Sequence, residues 1–275
     1  MLQIQNGRVL TMAGKTFENG QVLIENGKIK SVGEYLSIPN AKAEVIDARG
    51  GWILPGLIET HCHIGITEEK KGFEGDDCNE VNQPVIPYLK ALDAVNPMDS
   101  AFHNALSAGI TAVMVGPGSS NVVGGQFLVM KTHGRVMDQM VVKEPAAMKV
   151  AFGENPKTNY SGQNKVPSTR MSVGALLRDE LTRAQNYRSR KEAAQQKGEA
   201  FEEDYQMECW LPVLTGKIPM KAHVHRADDI LTAIRIAKEF GLGLTLDHCT
   251  EGHLIARKIK ESGFPAIIGP TMSSR

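Results

Sequence analysis

The chain has 275 residues, 41% apolar and 23% charged, which fits one large globular domain or a large domain with a smaller one. Its 31 basic residues balance its 31 acidic ones, so no net charge attracts nucleic acid or an anionic membrane. No apolar run reaches membrane-span length, the first residues lack a signal-peptide pattern, and four cysteines without a Cys-x-x-Cys pair argue against a zinc ribbon or a disulfide framework, so a cytoplasmic location is expected.

The first fifty residues read as short strands. "LQIQNGRVLTM" and "QVLIENGKIKSVG" are β-rich, and Asn26-Gly27 inside the second is a hairpin signal. "AEVIDARGGWILPG" follows, and Pro55-Gly56 marks where the chain leaves this layer. Residues 1–53 are therefore expected to form the N-terminal part of a small β-sandwich domain, and residues 54–275 a second domain.

"LPGLIETHCHIG" opens the second domain as an apolar strand that ends in His61 and His63. Alternation along a strand puts both histidines on one face and Cys62 on the other. The chain then alternates strand and helix. "NPMDSAFHNALSAG" predicts a helix with Asn96 as N-cap, Pro97 at its first position and Gly109 as its stop. "ITAVMVGPG", "QFLVMKTHG" and "AAMKVAFGEN" predict strands. After a long, charged helical stretch come the strand "IPMKAHVHR", the helix "ADDILTAIRIAKEFG", the strand "LGLTLDHC", the helix "EGHLIARKIKESG" and the strand "PAIIGP". Parallel strands separated by amphipathic helices predict an α/β fold.

Polar residues sit at the strand ends. His61 and His63 end the first, Lys149 lies in "MKVAFGEN" with Glu154 just after it, His223 and His225 end "IPMKAHVHR", and His248 ends "LGLTLDHC". In a (β/α)₈ barrel the carboxyl ends of the strands converge on one mouth, where these groups would meet. Such a set suits a hydrolytic Zn²⁺, which takes nitrogen and oxygen ligands and keeps a position open for water. The metal lowers the pKa of that water from 15.7 to about 7 and polarises the carbonyl under attack. Two ions would need a bridging anion, which a lysine carboxylated by CO₂ can supply.

"LPGLIETHCHIG" after a β layer, "MKVAFG", "KAHVHRADDI" and "LDHCTEGH" together resemble the metal-dependent amidohydrolase superfamily, in particular its imidazolonepropionase-like and prolidase-like branch. The resemblance implies a TIM-barrel-like fold, metal on His61, His63, His223 and His248, and a carboxylated bridge at Lys149, with Glu154 as the alternative bridging ligand. It implies one or two zinc ions, or other divalent metals. The superfamily also carries an aspartate at the end of the eighth barrel strand. Seven strands are counted before the chain ends in "TMSSR", so the barrel is expected to be incomplete, within a protein of roughly 380–400 residues. By this reasoning the chain alone is expected to bind metal without turnover.

Three further polar residues are candidates for substrate contact: Asn121 and Gln126 in the glycine-rich "GPGSSNVVGGQ", and Arg170 near the start of the charged helix. His225 is a candidate for catalysis or metal binding beside His223. His103 and His133 are read as structural and His253 as a surface residue. The expected function is metal-dependent hydrolysis of a carbon–nitrogen bond, in a small-molecule amide or cyclic amide, by metal-activated hydroxide. A deaminase of the same superfamily is the alternative. Deaminases place a glutamate three residues after the strand-five histidine, where this chain has Arg226. A noncatalytic amidohydrolase-like scaffold is the second alternative. A homo-oligomer is compatible with the sequence.

Overall fold

The computed structural model describes residues 1–36 and 43–270. The terminal "TMSSR" lies outside the described residues. The chain divides into two compact units, Met1–Leu57 and Ile58–Arg275.

Among the described residues, the first unit is a five-stranded sheet. β1 (Leu2–Leu10), β2 (Thr16–Glu25) and β3 (Lys28–Gly33) run antiparallel in sequence, while β4 (Glu44–Asp47) and β5 (Trp52–Ile53) both pair parallel with β1. Asn26 and Gly27 form the β2–β3 turn with φ of 52° and 73°, the left-handed pair that a two-residue hairpin requires. Val9, Val22 and Leu23 are buried on this sheet.

The second unit contains, in order, β6 (Leu57–Cys62), α1 (Ser100–Ser107), β7 (Ile110–Val115), β8 (Val123–Lys131), α2 (Met137–Met140), β9 (Val141–Ala151), α3 (Glu154–Ser161) and α4 (Arg170–Lys197). It continues with α5 (Tyr205–Glu208), α6 (Leu211–Leu214), β10 (Met220–Val224), α7 (Ala227–Phe240), β11 (Leu244–His248), α8 (Ala256–Ser262) and β12 (Ala266–Ile268). Among the described residues, seven strands of this unit form one sheet in the order β12-β11-β10-β9-β8-β7-β6, an incomplete TIM-like barrel as the sequence led one to expect.

β9 to β12 are mutually parallel, but β8 runs antiparallel to both β7 and β9. The expectation of uniformly parallel strands therefore fails at β8. A parallel crossover needs a dozen or more residues, and residues 116–122 between β7 and β8 are too few, so the glycine-rich segment is a hairpin loop. This reversal brings the start of β8 to the same end as the carboxyl end of β9, with Val123 opposite Val150 and Gly125 opposite Lys149.

Alternation sorts the side chains. Met148, Val150, Met220, Ala222, Val224, Leu244 and Leu246 face a core built with Val173, Leu177 and Leu181 of α4 and Ile230, Ala233 and Ala237 of α7. The intervening residues Lys149, Lys221, His223 and Asp247 point the other way and are also buried. α4 is capped by Thr169, which exchanges hydrogen bonds with Ser172, and ends at Gly198 in the left-handed conformation. α1 begins three residues later than expected. Asp99, not Asn96, is its N-cap and accepts from the Ala101 amide, while Asn96 accepts from Met98 in the turn before it.

Candidate metal centre

Five imidazoles form one continuous cluster at the carboxyl ends of β6, β10 and β11. Ring centroids are 5.4 Å apart for His61 and His63, 4.9 Å for His61 and His248, 4.6 Å for His248 and His223, and 4.5 Å for His223 and His225. Ligand atoms of His223, His225 and His248 all lie within 4.8 Å of one another. A cavity of about 390 Å³ opens beside His61, His63 and His248, between Glu59 of β6 and Ile267 of β12.

Backbone carbonyls set the tautomers. Nδ1 of His63 donates to Gly116 O at 2.7 Å, and Nδ1 of His248 donates to Gly269 O at 2.7 Å. A carbonyl only accepts, so Nδ1 carries the proton and the Nε2 lone pair is free in both rings. His225 Nδ1 lies 2.7 Å from the Thr250 hydroxyl. Burial pushes His63 and His248 below the ordinary imidazole value. It brings His61 to about 4, with Asp247 opposing the shift, and His223 to about 2, where the nearby Lys149 adds to it. The four imidazoles of His61, His63, His223 and His248 are thus neutral at pH 7, the form in which histidine binds a cation.

Two lysines and one carboxylate lie beneath the rings. Lys149 and Lys221 each place Nζ 5.6 Å from the centre of the buried Phe127 ring. Lys221 pairs with Asp247 at 2.9 Å, and the other Asp247 oxygen lies 2.9 Å from His61 Nδ1. Lys149 is fully buried, its Nζ has no hydrogen-bond partner among the described residues, and burial pushes its pKa down to about 8.

Both ring nitrogens of His61 and of His223 likewise lack an aligned hydrogen-bond partner among the described residues. Each buried polar atom left unmatched costs about 1–3 kcal/mol, and a cation on the imidazole lone pairs would relieve that cost. The donor set fits a divalent metal.

The remaining candidates sit elsewhere. Glu154, in the first turn of α3, is half exposed and bonds Arg170, whose guanidinium also grips Asp229 at 2.9 and 3.2 Å. Asn121 is buried and donates to Gln83 O at 2.6 Å and the Tyr160 hydroxyl at 2.9 Å. Gln126 is buried and donates to Pro87 O at 3.0 Å. The structure therefore gathers His61, His63, Lys149, His223, His225 and His248, and holds Glu154, Arg170, Asn121 and Gln126 in separate internal contacts. Sequence reasoning missed Lys221 and Asp247. Lys221 was accessible to it, being two residues before His223 and hence on the same strand face.

No protein-family model matches the chain. The amidohydrolase tasK of Hapsidospora irregularis is 27% identical over 86% of this chain, which spans only 26% of that protein's length. The 5-methylthioadenosine/S-adenosylhomocysteine deaminase of Symbiobacterium thermophilum is 44% identical over 69 residues, 24% of this chain and 16% of its own length. The chain thus spans about a quarter or less of these two curated relatives. The solved structure of an amidohydrolase from Thermotoga maritima MSB8 superimposes on all of it with a TM-score of 0.95. At 44% identity along its full length to that enzyme, of which it covers 71%, this chain belongs to the metal-dependent amidohydrolase superfamily.

Proposed function

We propose that this chain carries the metal centre of a hydrolase that cleaves a carbon–nitrogen bond in a small amide or cyclic amide, with one or two Zn²⁺ ions as cofactor. The observation that carries the reading is the continuous imidazole cluster with neutral, unmatched nitrogens around a buried lysine. His61, His63, His223 and His248 would hold the metal, which when bound supplies Lewis acidity and a lowered pKa for water. Lys149 is preferred over Glu154 as the bridging group. Its amine is unpartnered and its lowered pKa leaves a larger free-amine fraction to take up CO₂, whereas Glu154 is tied to Arg170. His225, whose ligand atom lies within 4.8 Å of those of His223 and His248, has Nδ1 against Thr250 and is available for metal binding or to hold a proton or a substrate group on its other nitrogen. Unpaired cysteines at positions 62, 78, 209 and 249 support a reducing, cytoplasmic setting. No helix among the described residues is long and apolar enough to cross a membrane.

Deamination is the second reading, favoured by the local 44% identity to a deaminase. Against it, Arg226 holds the position of the expected proton donor, and its guanidinium is bound to Asp228 at 3.0 and 2.9 Å. The test loads this chain, and a version extended through its downstream reading frame, with Zn²⁺ or Co²⁺ and screens acyl amides, cyclic amides and aminopurines. Amide cleavage without ammonia release from purines supports the first reading. Ammonia release alone favours the second, and failure to bind metal overturns both in favour of a scaffold.

A further inference from the structure

Asp247 is fully buried, yet its carboxylate is held between two groups from different strands. Lys221 Nζ of β10 lies 2.9 Å from Oδ1, and His61 Nδ1 of β6 lies 2.9 Å from Oδ2. Strict alternation would send Asp247 and His248 to opposite faces of β11. His248 has φ of 71° and Cys249 of 47°, a left-handed pair that ends the alternation and lets Asp247 and His248 serve the same cluster. Backbone strain of this kind costs about 1–3 kcal/mol per residue and persists where the surroundings over-determine it.

The other rings of the cluster are set differently. His63 and His248 face neutral carbonyls and His225 faces a hydroxyl. Only for His61, among the described residues, is the nearest acceptor a carboxylate. The N–H of that ring is tilted off the line to Oδ2, so the contact works by proximity of charge rather than by an aligned hydrogen bond. Lys221 is equally buried and is bound to the carboxylate's other oxygen. A buried ion pair of this sort rarely adds net stability, so its retention asks for another reason.

We propose that Asp247, locked in place by Lys221, is a positioning residue for His61: it selects the tautomer protonated on Nδ1 and so presents the Nε2 lone pair to the metal. The inference rests on the reading of the cluster as a metal centre. Outer carboxylates that orient a ligating histidine change metal affinity by about 10–100-fold when removed.

Two measurements test it. In the first, Co²⁺ affinity is titrated for wild type, Asp247→Asn, His61→Ala and the double variant. Asp247→Asn should weaken binding about 10–100-fold, with little further loss in the His61→Ala background, because Asp247 acts through that ring. Equal weakening in both backgrounds overturns the inference while leaving the metal reading intact. In the second, the metal-free protein with ¹⁵N-labelled histidine is examined by two-bond ¹H–¹⁵N correlation. His61 should be protonated on Nδ1 in wild type and lose that preference in Asp247→Asn. Should Asp247→Asn misfold, Lys221→Met with Asp247→Leu removes both charges together and takes its place. An unchanged His61 tautomer overturns the inference. If wild type binds no Co²⁺, the metal reading falls and the tautomer measurement alone decides for or against the role of Asp247.

Discussion

His63 donates its Nδ1 proton to the carbonyl of Gly116 at 2.7 Å, and that bond decides which nitrogen the ring offers to a cation. Gly116 directly follows β7, where the chain passes over Phe127 so closely that a Cβ would sit 2.2 Å from the ring's Cγ. Gly116→Ala must displace either the fully buried Phe127 or the carbonyl that holds His63. The expected outcome is a loss of about 1–3 kcal/mol in urea unfolding of the metal-free protein, together with weaker zinc binding. Unchanged stability would mean the strand has room that this packing denies it.

Acid should destabilise the metal-free protein earlier than carboxylate titration alone would. His61 and His223 titrate near 4 and 2 when folded because burial disfavours their charged forms, against about 6.5 in the unfolded chain. Between those values the unfolded state binds more protons. Stability is therefore full above about pH 6.5 and falls as pH drops toward 4, by up to about 1.4 kcal/mol per pH unit for each group. Urea midpoints at pH 7.5 and pH 5 measure this, and His223→Leu should flatten the slope.

Lys149→Met should stabilise the metal-free protein and damage the metal site. The lysine is buried, unpartnered and still mostly protonated at pH 7, since its pKa is pushed down only to about 8. Replacing it with an apolar side chain of similar length should add on the order of 1–3 kcal/mol at pH 7. That gain should shrink as pH rises from about 8 toward 10.5, where the folded lysine sheds its proton first. Metal content should fall to about one ion if Lys149 is the bridge, and Glu154→Ala should leave it unchanged.

Arg170 offers a choice between substrate contact and internal pairing. Its guanidinium neutralises the buried Asp229 and holds Glu154. Arg170→Ala should cost about 1–3 kcal/mol by leaving Asp229 unmatched, and Asp229→Asn in that background should recover part of it. A rise in KM with unchanged stability would instead assign Arg170 to the substrate.

Much of this arrangement was legible because the strand period is simple. His61 with His63, and His223 with His225, lie two residues apart and so share faces, and each pair follows apolar residues that read as a strand, although only β10 is buried throughout and Leu57 and Ile58 of β6 are exposed. The seven strands and the helical stretch that became α4 were readable on the same ground. Direction was not. The apolar pattern of β8 is the same read either way, and only the shortness of residues 116–122 betrays its reversal. Asp247 was hidden for a related reason. Alternation turns it away from His248, and the positive φ that brings both into one cluster falls on a histidine, a residue that does not advertise it as glycine would. Asn121 and Gln126 read as substrate contacts in the sequence because they lie in a glycine-rich segment between strands. The carbonyls of Gln83 and Pro87 that hold them lie some forty positions earlier in the chain, beyond the reach of any local pattern.

The most direct test of the account is the metal content of the purified protein. Elemental analysis after growth with zinc, followed by extensive dialysis, should find one to two tightly held ions per chain in wild type. His223→Ala with His248→Ala, and separately His61→Ala with His63→Ala, should abolish tight binding, while His103→Ala and His133→Ala should not. Wild-type protein without metal, or full metal content in either double variant, would contradict the claim that these strand-end histidines form a metal centre.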